Sequence, residues 1–408
     1  MKLADRVSLI EEAATLATAA KAAEMKRAGI DVVGFGAGEP DFDTPEHIKA
    51  AANRALAAGH TSYAKPTSGI TEARAAVCKK LLRDNGLTYQ PDQVIVTVGG
   101  KEALYLAFMA LLNPGDEVLL PVPYWVSFSE QIKLCGGVVV PIVGSDATGL
   151  KITPQQVAAA LTPRTKILVF NSPSNPGGFS YTAAETRAIA ETLAGRDIVV
   201  FSDEMYDQLR YHDAPGGGAS AKSGGTNLRE NLSFAAISPE WQEKTITFNA
   251  ASKTHAMTGW RVGFAAGPRE IIRAMAKLQT HTTSGTATFI QHALVEALTG
   301  DQSHVENMRR EFEQRGRFMH ERLCGLKDVT CVRPTGAFYC FPNVSGTYAR
   351  LGVKTSIEFC ALVLDRVHVA LVPGSAFGMD THVRLSFATD MATITKGMER
   401  LGGLIGAS

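Results

Sequence analysis

The hydrophobic positions of this chain fall into short unbroken runs, separated by amphipathic stretches and by loops rich in glycine and proline. Short apolar runs bounded by such loops are typical of buried strands. They predict strands at 93–98, 117–120, 166–170, 197–201, 245–248 and 262–266. The amphipathic stretches predict helices at 8–28, 46–58, 101–112, 154–160 and 306–323. Together these elements predict an α/β fold with a mostly parallel sheet wrapped by helices.

The pattern changes after the last of these helices, where apolar runs at 329–341 and 383–387 predict further strands. A chain of 408 residues is long enough for two domains. We expect a large domain at 46–299 that holds the main sheet. A smaller α/β domain would combine residues 1–45 with residues 300–408.

Composition and charge narrow the classes of function. Hydrophobic residues make up 45% of the chain and charged residues 20%, which is ordinary for a globular protein. The formal net charge is +1, and the lysines and arginines are scattered without a basic block. We therefore expect neither nucleic acid nor an anionic membrane surface as a partner.

The cysteines and the apolar segments bear on the compartment. The six cysteines show no C-x-x-C spacing, which argues against a zinc site or a disulfide framework and fits buried thiols in a reducing cytoplasm. The apolar run at 103–112 is too short to span a bilayer, and no targeting segment is evident. We predict a cytoplasmic protein without a bound metal. A Gly/Ser/Ala-rich run at 213–226 predicts a flexible surface insertion.

The most informative stretch lies between the apolar runs at 245–248 and 262–266, where Lys253 sits among small residues with Arg261 close behind. Most lysines are solvated surface residues. In a low-dielectric turn, however, a lysine loses affinity for its proton and becomes a nucleophilic amine, as a Schiff base with a carbonyl cofactor requires. The nearby arginine would suit a phosphate ester.

A second candidate is the turn Gly99–Gly100, which joins a predicted strand to a predicted helix. The first N–H groups of a helix are unpaired and its dipole is positive there, so this arrangement forms an anion site. A Gly-Gly turn alone is more often just a tight turn between two elements, without a role in binding. Together with Arg261 it predicts a phosphate cup.

Two charged residues stand at unusual positions. Asp203 follows the strand at 197–201, and open α/β sheets place ligand groups at such carboxyl ends. The alternative is that Asp203 caps the next helix. Arg384 interrupts an apolar alternation, where it is either an outward-facing strand residue or a buried functional group.

The chain resembles a known family at these same places. Ser252-Lys253, followed by Met257–Gly263, is similar to the cofactor-lysine signature of the class I and II aminotransferases, which bind pyridoxal 5'-phosphate (PLP). The resemblance extends from about Leu3 to Phe387 and is strongest to the bacterial subgroup Ib aspartate aminotransferases. It implies the PLP-dependent transferase fold type I and a homodimer with sites built from two subunits.

The resemblance also implies roles for individual residues. Lys253 would hold PLP and carry the proton during catalysis. The implied contacts to the cofactor phosphate come from Gly99, Gly100, Lys101, Ser252, Arg261 and Tyr63. Trp125 would stack on the ring, and Asp203 would pair with the pyridine nitrogen. Asn175 and Tyr206 would contact the 3'-oxygen.

The substrate would be held by a second, overlapping group of residues. The resemblance implies that Arg384 clamps the α-carboxylate with help from Asn175, while the backbone of Gly38 and the ring of Trp125 face the substrate. Lys101 would contact the distal carboxylate of an acidic substrate. In the family a threonine near the position of Thr15 assists this lysine.

The chain departs from the family pattern at a few positions. Ser174 and Gly177 stand where asparagine and threonine are usual, next to Asn175. Ala250 replaces a serine that would donate to the phosphate. The loop that contains Tyr63 is one residue longer than is usual in the family. The family role of this tyrosine is therefore carried over to Tyr63 less directly than the other roles.

The predicted function is transamination between an amino acid, foremost aspartate or glutamate, and a 2-oxo acid such as 2-oxoglutarate or oxaloacetate. One alternative is an aminotransferase of broader or different specificity, acting on prephenate or on aromatic amino acids, alanine or methionine. Another is a PLP-dependent C–S β-lyase, because the same fold hosts both chemistries. A non-enzymatic regulator is disfavoured because no DNA-binding module is evident.

Overall fold

The structure is a computed structural model and describes residues 2–10, 14–211 and 232–407. Its strands are β1 Val33–Gly34, β2 Val94–Thr97, β3 Glu117–Val122, β4 Val138–Val143, β5 Thr165–Asn171, β6 Val199–Asp203, β7 Thr245–Ala250, β8 Gly263–Ala266, β9 Tyr339–Cys340, β10 Val369–Ala370, β11 Val372–Pro373 and β12 Val383–Ser386. Its helices are α1 Ala14–Arg27, α2 Glu46–Ala57, α3 Thr71–Asn85, α4 Gly100–Leu111, α5 Ser127–Leu134, α6 Pro154–Ala160, α7 Ala183–Leu193, α8 Pro239–Gln242, α9 Ala251–Thr254, α10 Arg269–Thr280, α11 Thr288–Thr299, α12 Ser303–Cys324, α13 Tyr348–Leu351, α14 Ser356–Val367 and α15 Met391–Ile405.

The main sheet has seven strands in the order β2-β8-β7-β6-β5-β3-β4. Strands β4, β3, β5, β6 and β7 run parallel to one another, and β8 is antiparallel to both of its neighbours. The predicted fold class is confirmed: this is an α/β protein of fold type I with a mostly parallel sheet. The six strands predicted for this sheet all exist, with boundaries shifted by a few residues at most.

Both faces of this sheet are buried, which explains the unbroken apolar runs. Along β5, Ile167 and Val169 enter the core shared with α4, while Leu168 and Phe170 enter the core shared with α7. Successive side chains of a strand point to opposite faces. A strand covered on both faces therefore needs apolar residues at consecutive positions.

A second core lies around α12, α14 and α15, with Phe312, Phe359 and Ile394 fully buried. It is built on the antiparallel sheet β11-β12-β9 and the parallel pair β1-β10. The prediction of strands over 329–341 was wrong except at Tyr339–Cys340. Pro334 cannot donate a ladder hydrogen bond, and the chain continues in irregular structure up to β9.

The remaining outcomes concern helices and segments outside the described residues. The helices predicted at 46–58, 101–112, 154–160 and 306–323 are α2, α4, α6 and α12. The run at 213–226 lies outside the described residues, as does the side chain of Thr15. Among the helices that the structure describes, none is long and apolar enough to cross a membrane. The described part of the chain also lacks any group of three or more His, Cys, Asp or Glu side chains arranged to hold a metal ion.

Strand β8 packs tightly against the turn that precedes α4. A Cβ atom added to Gly263 would lie 2.6 Å from the carbonyl carbon of Gly99 and closer still to the backbone nitrogen of Gly100. These are backbone atoms and cannot rotate away. The absence of a side chain at Gly263 therefore fixes how closely the Gly99–Gly100 turn can approach the sheet.

A histidine pair joins the short helix α9 to the start of α12. His255 Nδ1 lies 2.9 Å from His304 Nε2, so one ring donates to the other, and the two ring centroids are 5.1 Å apart. His47 packs against His304 on the other side and bonds Glu296 at 3.0 Å. Burial lowers the pKa of His255 to about 3, with smaller contributions from His304 and Lys80.

We expect Gly263→Ala to lower the free energy of unfolding by about 1–3 kcal/mol, because the added methyl group must displace backbone atoms. Gly259→Ala is the matched control, since a Cβ there would meet nothing within 4 Å. Denaturant unfolding of both variants measures the difference. Equal stability of the two would contradict the close approach.

We expect acid to destabilise the fold through His255. The unfolded chain binds a proton at this residue below its ordinary pKa of about 6.5, whereas the folded chain does not until about pH 3. Stability is therefore full above pH 6.5 and falls by up to about 1.4 kcal/mol per pH unit below it. In His255→Gln, unfolding curves at pH 7, 6 and 5 should show a shallower loss. An identical acid slope in both proteins would refute this assignment.

Candidate functional site

The candidate site lies at the carboxyl ends of β5, β6 and β7, next to the start of α4. Strand β6 ends at Asp203, and β7 leads directly into α9, which carries Lys253. Asn175 stands in the loop after β5, where its backbone N–H donates to Asn171 Oδ1 at 3.0 Å. Adjacent parallel strands bring their carboxyl ends to one edge of the sheet, which gathers residues distant in sequence.

Lys253 is half-buried at the centre of this group. Its Nζ donates a hydrogen bond to the carbonyl oxygen of Gly38 and lies 6.0 Å from the centroid of the Phe338 ring. Burial lowers the pKa of Lys253 to about 8; Glu39 opposes the shift and nearby cations support it. A substantial fraction of this amine is therefore neutral near pH 8, and a neutral amine is the nucleophilic form.

The turn before α4 and Arg261 form a small cationic cradle. Gly99 has a φ of +77°, and a Cβ there would lie 2.5 Å from Arg261 Nη2. Arg261 itself has a φ of +52°, and its Nη1 donates to the carbonyl oxygen of Thr258 at 2.9 Å. Helix α4 begins at Gly100, so its first N–H groups face the same space as the guanidinium. The fold thus brings the two parts of the predicted anion site together, and the binding of an anion there stays a prediction.

Further contacts define the edges of this cradle. Ser252 is buried in α9 beside Lys253. Ala250, at the end of β7, has no side-chain donor to offer. A Cβ on Gly100 would collide with the end of the Met205 side chain, which would have to move aside.

Asp203 is a buried carboxyl group, with 4% of its surface exposed. Its Oδ1 accepts a hydrogen bond from the N–H of Met205 at 3.1 Å. Burial raises the pKa of Asp203 to about 7, and the adjacent Glu204 adds to the rise. A cationic ligand nitrogen at this carboxylate would favour the ionised form again.

Arg384 is buried, with 7% of its surface exposed, so it is not an outward-facing strand residue. Its Nη1 donates to Asn175 Oδ1 and its Nη2 to the carbonyl oxygen of Gly36, both at 3.0 Å. The guanidinium lies 4.6 Å from the Tyr339 ring centroid and 5.0 Å from that of Phe377. Its Nε is buried and has no hydrogen-bond partner among the residues that the structure describes, so donor capacity remains there for a carboxylate.

Tyr206 and Tyr339 are joined by a hydrogen bond between their hydroxyl oxygens at 2.9 Å. Burial raises the pKa of both phenols, so both remain neutral donors. Tyr339 was missed as a site residue by sequence reasoning. The sequence analysis assigned residues 329–341 only to predicted strands and attached no role to this tyrosine.

Lys101 and Trp125 lie against each other at the wall of a wide cleft. Lys101 Nζ is 5.0 Å from the centroid of the Trp125 ring, which meets Phe128 edge-on at 5.4 Å. Burial lowers the pKa of Lys101, and Arg261 adds to this effect. The cleft has a volume of about 860 Å³, and Lys101 and Arg261 are among its lining residues. The side chain of Lys101 therefore points into a space that a ligand could enter.

Two predicted site residues stand apart from the others in different ways. Gly38 reaches the site through its backbone, because its carbonyl oxygen accepts the hydrogen bond from Lys253. Tyr63 is 79% exposed, and the structure does not bring its ring into the group around Lys253.

Comparisons with known proteins agree with this geometry. A family model described as aminotransferase class I and II matches residues 30–401. The chain is 47% identical over 401 residues to an aspartate aminotransferase of Geobacillus stearothermophilus, covering 98% of each chain. It is 42% identical to an aspartate/prephenate aminotransferase of Cereibacter sphaeroides, covering 98% of this chain and 97% of the other.

The solved structures include an aspartate aminotransferase from Rhizobium meliloti, which superposes with a TM-score of 0.91 at 38% identity. That match covers 99% of this chain and 98% of the other. Both the family model and the relatives span nearly the whole sequence. The chain therefore belongs to the aminotransferase class I and II family.

Proposed function

We propose that this protein is a PLP-dependent aminotransferase that transfers an amino group between aspartate or glutamate and a 2-oxo acid. The observation that carries the proposal is the amine of Lys253, whose pKa is lowered to about 8 beside a glycine and arginine anion cradle. Relatives named aspartate aminotransferase support the same substrate class.

The donor set fits PLP. The turn at Gly99–Gly100, the N–H of Lys101, Arg261 and Ser252 would hold the phosphate. Gly99 lies close to the Arg261 guanidinium, so the helix start and this cation offer donors to the same anion. When bound, PLP supplies an electron sink that stabilises negative charge at the substrate Cα.

The remaining cofactor contacts match the groups at the strand ends. The carboxyl group of Asp203 would pair with the pyridine nitrogen, and this ion pair would offset the burial that raises its pKa. Asn175 and Tyr206 would donate to the 3'-oxygen. Trp125 offers a flat face to the ring.

The residues of this chain then carry the steps of the reaction. The neutral amine of Lys253 would accept the substrate Cα proton at Nζ and give it up again as the general acid, while the carbonyl oxygen of Gly38 holds Nζ in place. Arg384 and Asn175 bind the α-carboxylate in a charge-assisted pair. The rings of Tyr339 and Phe377 cover the guanidinium and keep water from it.

The choice of an acidic substrate rests on Lys101. Its ammonium group can turn from the Trp125 face toward a distal carboxylate in the cleft. A second acceptor class is prephenate, because the Cereibacter sphaeroides relative is an aspartate/prephenate aminotransferase. Prephenate also carries more than one carboxylate, so the same lysine would serve it.

We also propose a homodimer with sites completed by the second subunit. The exposed ring of Tyr63 supports this arrangement, because a large aromatic side chain that is 79% exposed suits an interface. We likewise propose that the chain divides into a large domain at 46–299 and a smaller one that combines 1–45 with 300–408. The six free cysteines support a reducing cytoplasm as the compartment.

Lys253→Ala should abolish the visible absorbance of lysine-bound PLP and nearly all turnover, because the nucleophilic amine and proton carrier are both removed. The matched control is Lys79→Ala, which removes an exposed lysine of α3. Borohydride reduction followed by mass spectrometry locates the linked lysine. A reducible PLP adduct that survives in Lys253→Ala would assign the anchor to another residue.

Lys101→Ser should lower kcat/KM for aspartate and glutamate. The loss of transition-state stabilisation calculated from kcat/KM should be about 2 kcal/mol, the scale of one charged hydrogen bond. Activity with phenylalanine should hardly change, since that donor has no distal carboxylate. Lys133→Ser is the control, because Lys133 lines the same cleft but is bound to Glu130 at 3.0 Å. An equal loss for aspartate and phenylalanine would leave Lys101 with a phosphate-site role only.

A further inference from the structure

A buried polar cluster lies behind the segment that carries Asp203 and Tyr206. Its members come from α3, from β6 and the turn after it, and from the chain just before α8, and all of them are buried. We call it the Glu204 cluster, and it consists of Lys80, Asn85, Ser202, Glu204, Asp207 and Ser233.

Glu204 is the centre of this cluster. One carboxylate oxygen accepts hydrogen bonds from Ser202 Oγ at 2.8 Å and Ser233 Oγ at 2.6 Å. The other accepts a hydrogen bond from Asn85 Nδ2 at 2.7 Å. These donors come from three separate segments of the chain, so the carboxylate ties them together at one point.

Lys80 extends the cluster into α3. Its Nζ donates to Asn85 Oδ1 at 2.8 Å and to Asp207 Oδ2, and it lies 3.8 Å from Asp84 Oδ2. Only 4% of the Lys80 side chain is exposed, and these acceptors surround its ammonium group. Helix α3 thereby holds the turn after β6 from outside the site.

The sequence of the turn alternates between site and cluster. Asp203 and Tyr206 face the site. Glu204 directly follows Asp203, Asp207 directly follows Tyr206, and both are held by the cluster. The backbone supports the same arrangement: Glu204 N–H donates to Phe248 O at 2.9 Å, and Asp207 N–H donates to Glu204 O at 3.1 Å. The direction of each site residue is thus set through its neighbour.

We propose that Glu204 is a positioning residue, which orients Asp203 and Tyr206 for the cofactor without touching it. This inference rests on the proposed function, since it concerns how tightly and in what orientation PLP is held. If the carboxylate of Glu204 is removed, its three donors must rearrange or remain without a hydrogen-bond partner. The same holds for the carboxylate if its donors are removed. That rearrangement would move the turn on which Asp203 stands.

The test compares PLP affinity of the apoproteins, measured by quenching of tryptophan fluorescence, alongside thermal unfolding of the same samples. Glu204→Ala should weaken PLP binding at least tenfold. Glu204→Gln keeps an acceptor for both serine hydroxyls but sets an amide nitrogen against Asn85 Nδ2, so its affinity should fall between those of Glu204→Ala and the natural protein. The absorption maximum of bound PLP should shift in Glu204→Ala and recover in part in Glu204→Gln.

Glu117→Ala is the matched control. Glu117 is also buried and accepts hydrogen bonds from Thr162 Oγ1 at 2.5 Å and Arg164 Nε at 2.9 Å, but it stands at the opposite end of the sheet, where β3 begins. Its loss should lower the melting temperature and leave the PLP dissociation constant unchanged.

The outcomes separate this inference from the proposed function. If the natural protein does not bind PLP, the proposed function fails. If it binds PLP and Glu204→Ala binds it equally well, only the positioning role of Glu204 is overturned. The same conclusion follows if Glu117→Ala weakens binding as much as Glu204→Ala does, because general destabilisation would then explain the loss.

Discussion

The removal of water from the carboxyl ends of β5, β6 and β7 governs most of what this site can do. Burial lowers the pKa of Lys253 to about 8 and raises that of Asp203 to about 7, so both groups approach neutrality from opposite sides. In water both groups would be fully charged near neutral pH, and the amine of Lys253 would then not be nucleophilic. The sheet makes this possible because both of its faces are covered, which leaves the strand ends as the place where polar groups gather.

The segment after β1 contacts the two cations of the candidate site through backbone carbonyl groups. Gly38 accepts from Lys253, and Gly36 accepts from Arg384, so the segment after β1 touches both cations. Arg384 in turn donates to Asn175, which belongs to the loop after β5. A carbonyl oxygen orients a cation without neutralising it, and the full charge stays available for an anionic ligand.

The sequence located six of the seven strands of the main sheet and singled out unusual charged residues, but not their partners. Unbroken apolar runs located those strands because burial on both faces leaves that pattern, and the small residues around Lys253 indicated its unusual environment. Strand β4 was missed, and so were the two-residue strands β1, β10 and β11, since two residues carry no periodicity. The pairing of His255 with His304, or of Glu204 with Asn85, joins residues far apart in the chain, and no local signal encodes such contacts. The role proposed for Tyr63 is a contact with a second subunit, and a single chain does not contain that contact.

The balance of charge around the cleft explains why dianions suit this site. Arg384, Arg261 and Lys101 each lower the pKa of Lys253, which means that all three lie close enough to repel its ammonium form, and Glu39 offsets only part of this repulsion. A phosphate group at the cradle and a dicarboxylate between Arg384 and Lys101 would both relieve it. Such ligands would also raise the pKa of Lys253 by removing unfavourable charge. The basicity of the proton carrier would then depend on which anions are bound, and a donor with one carboxylate would leave part of the repulsion in place.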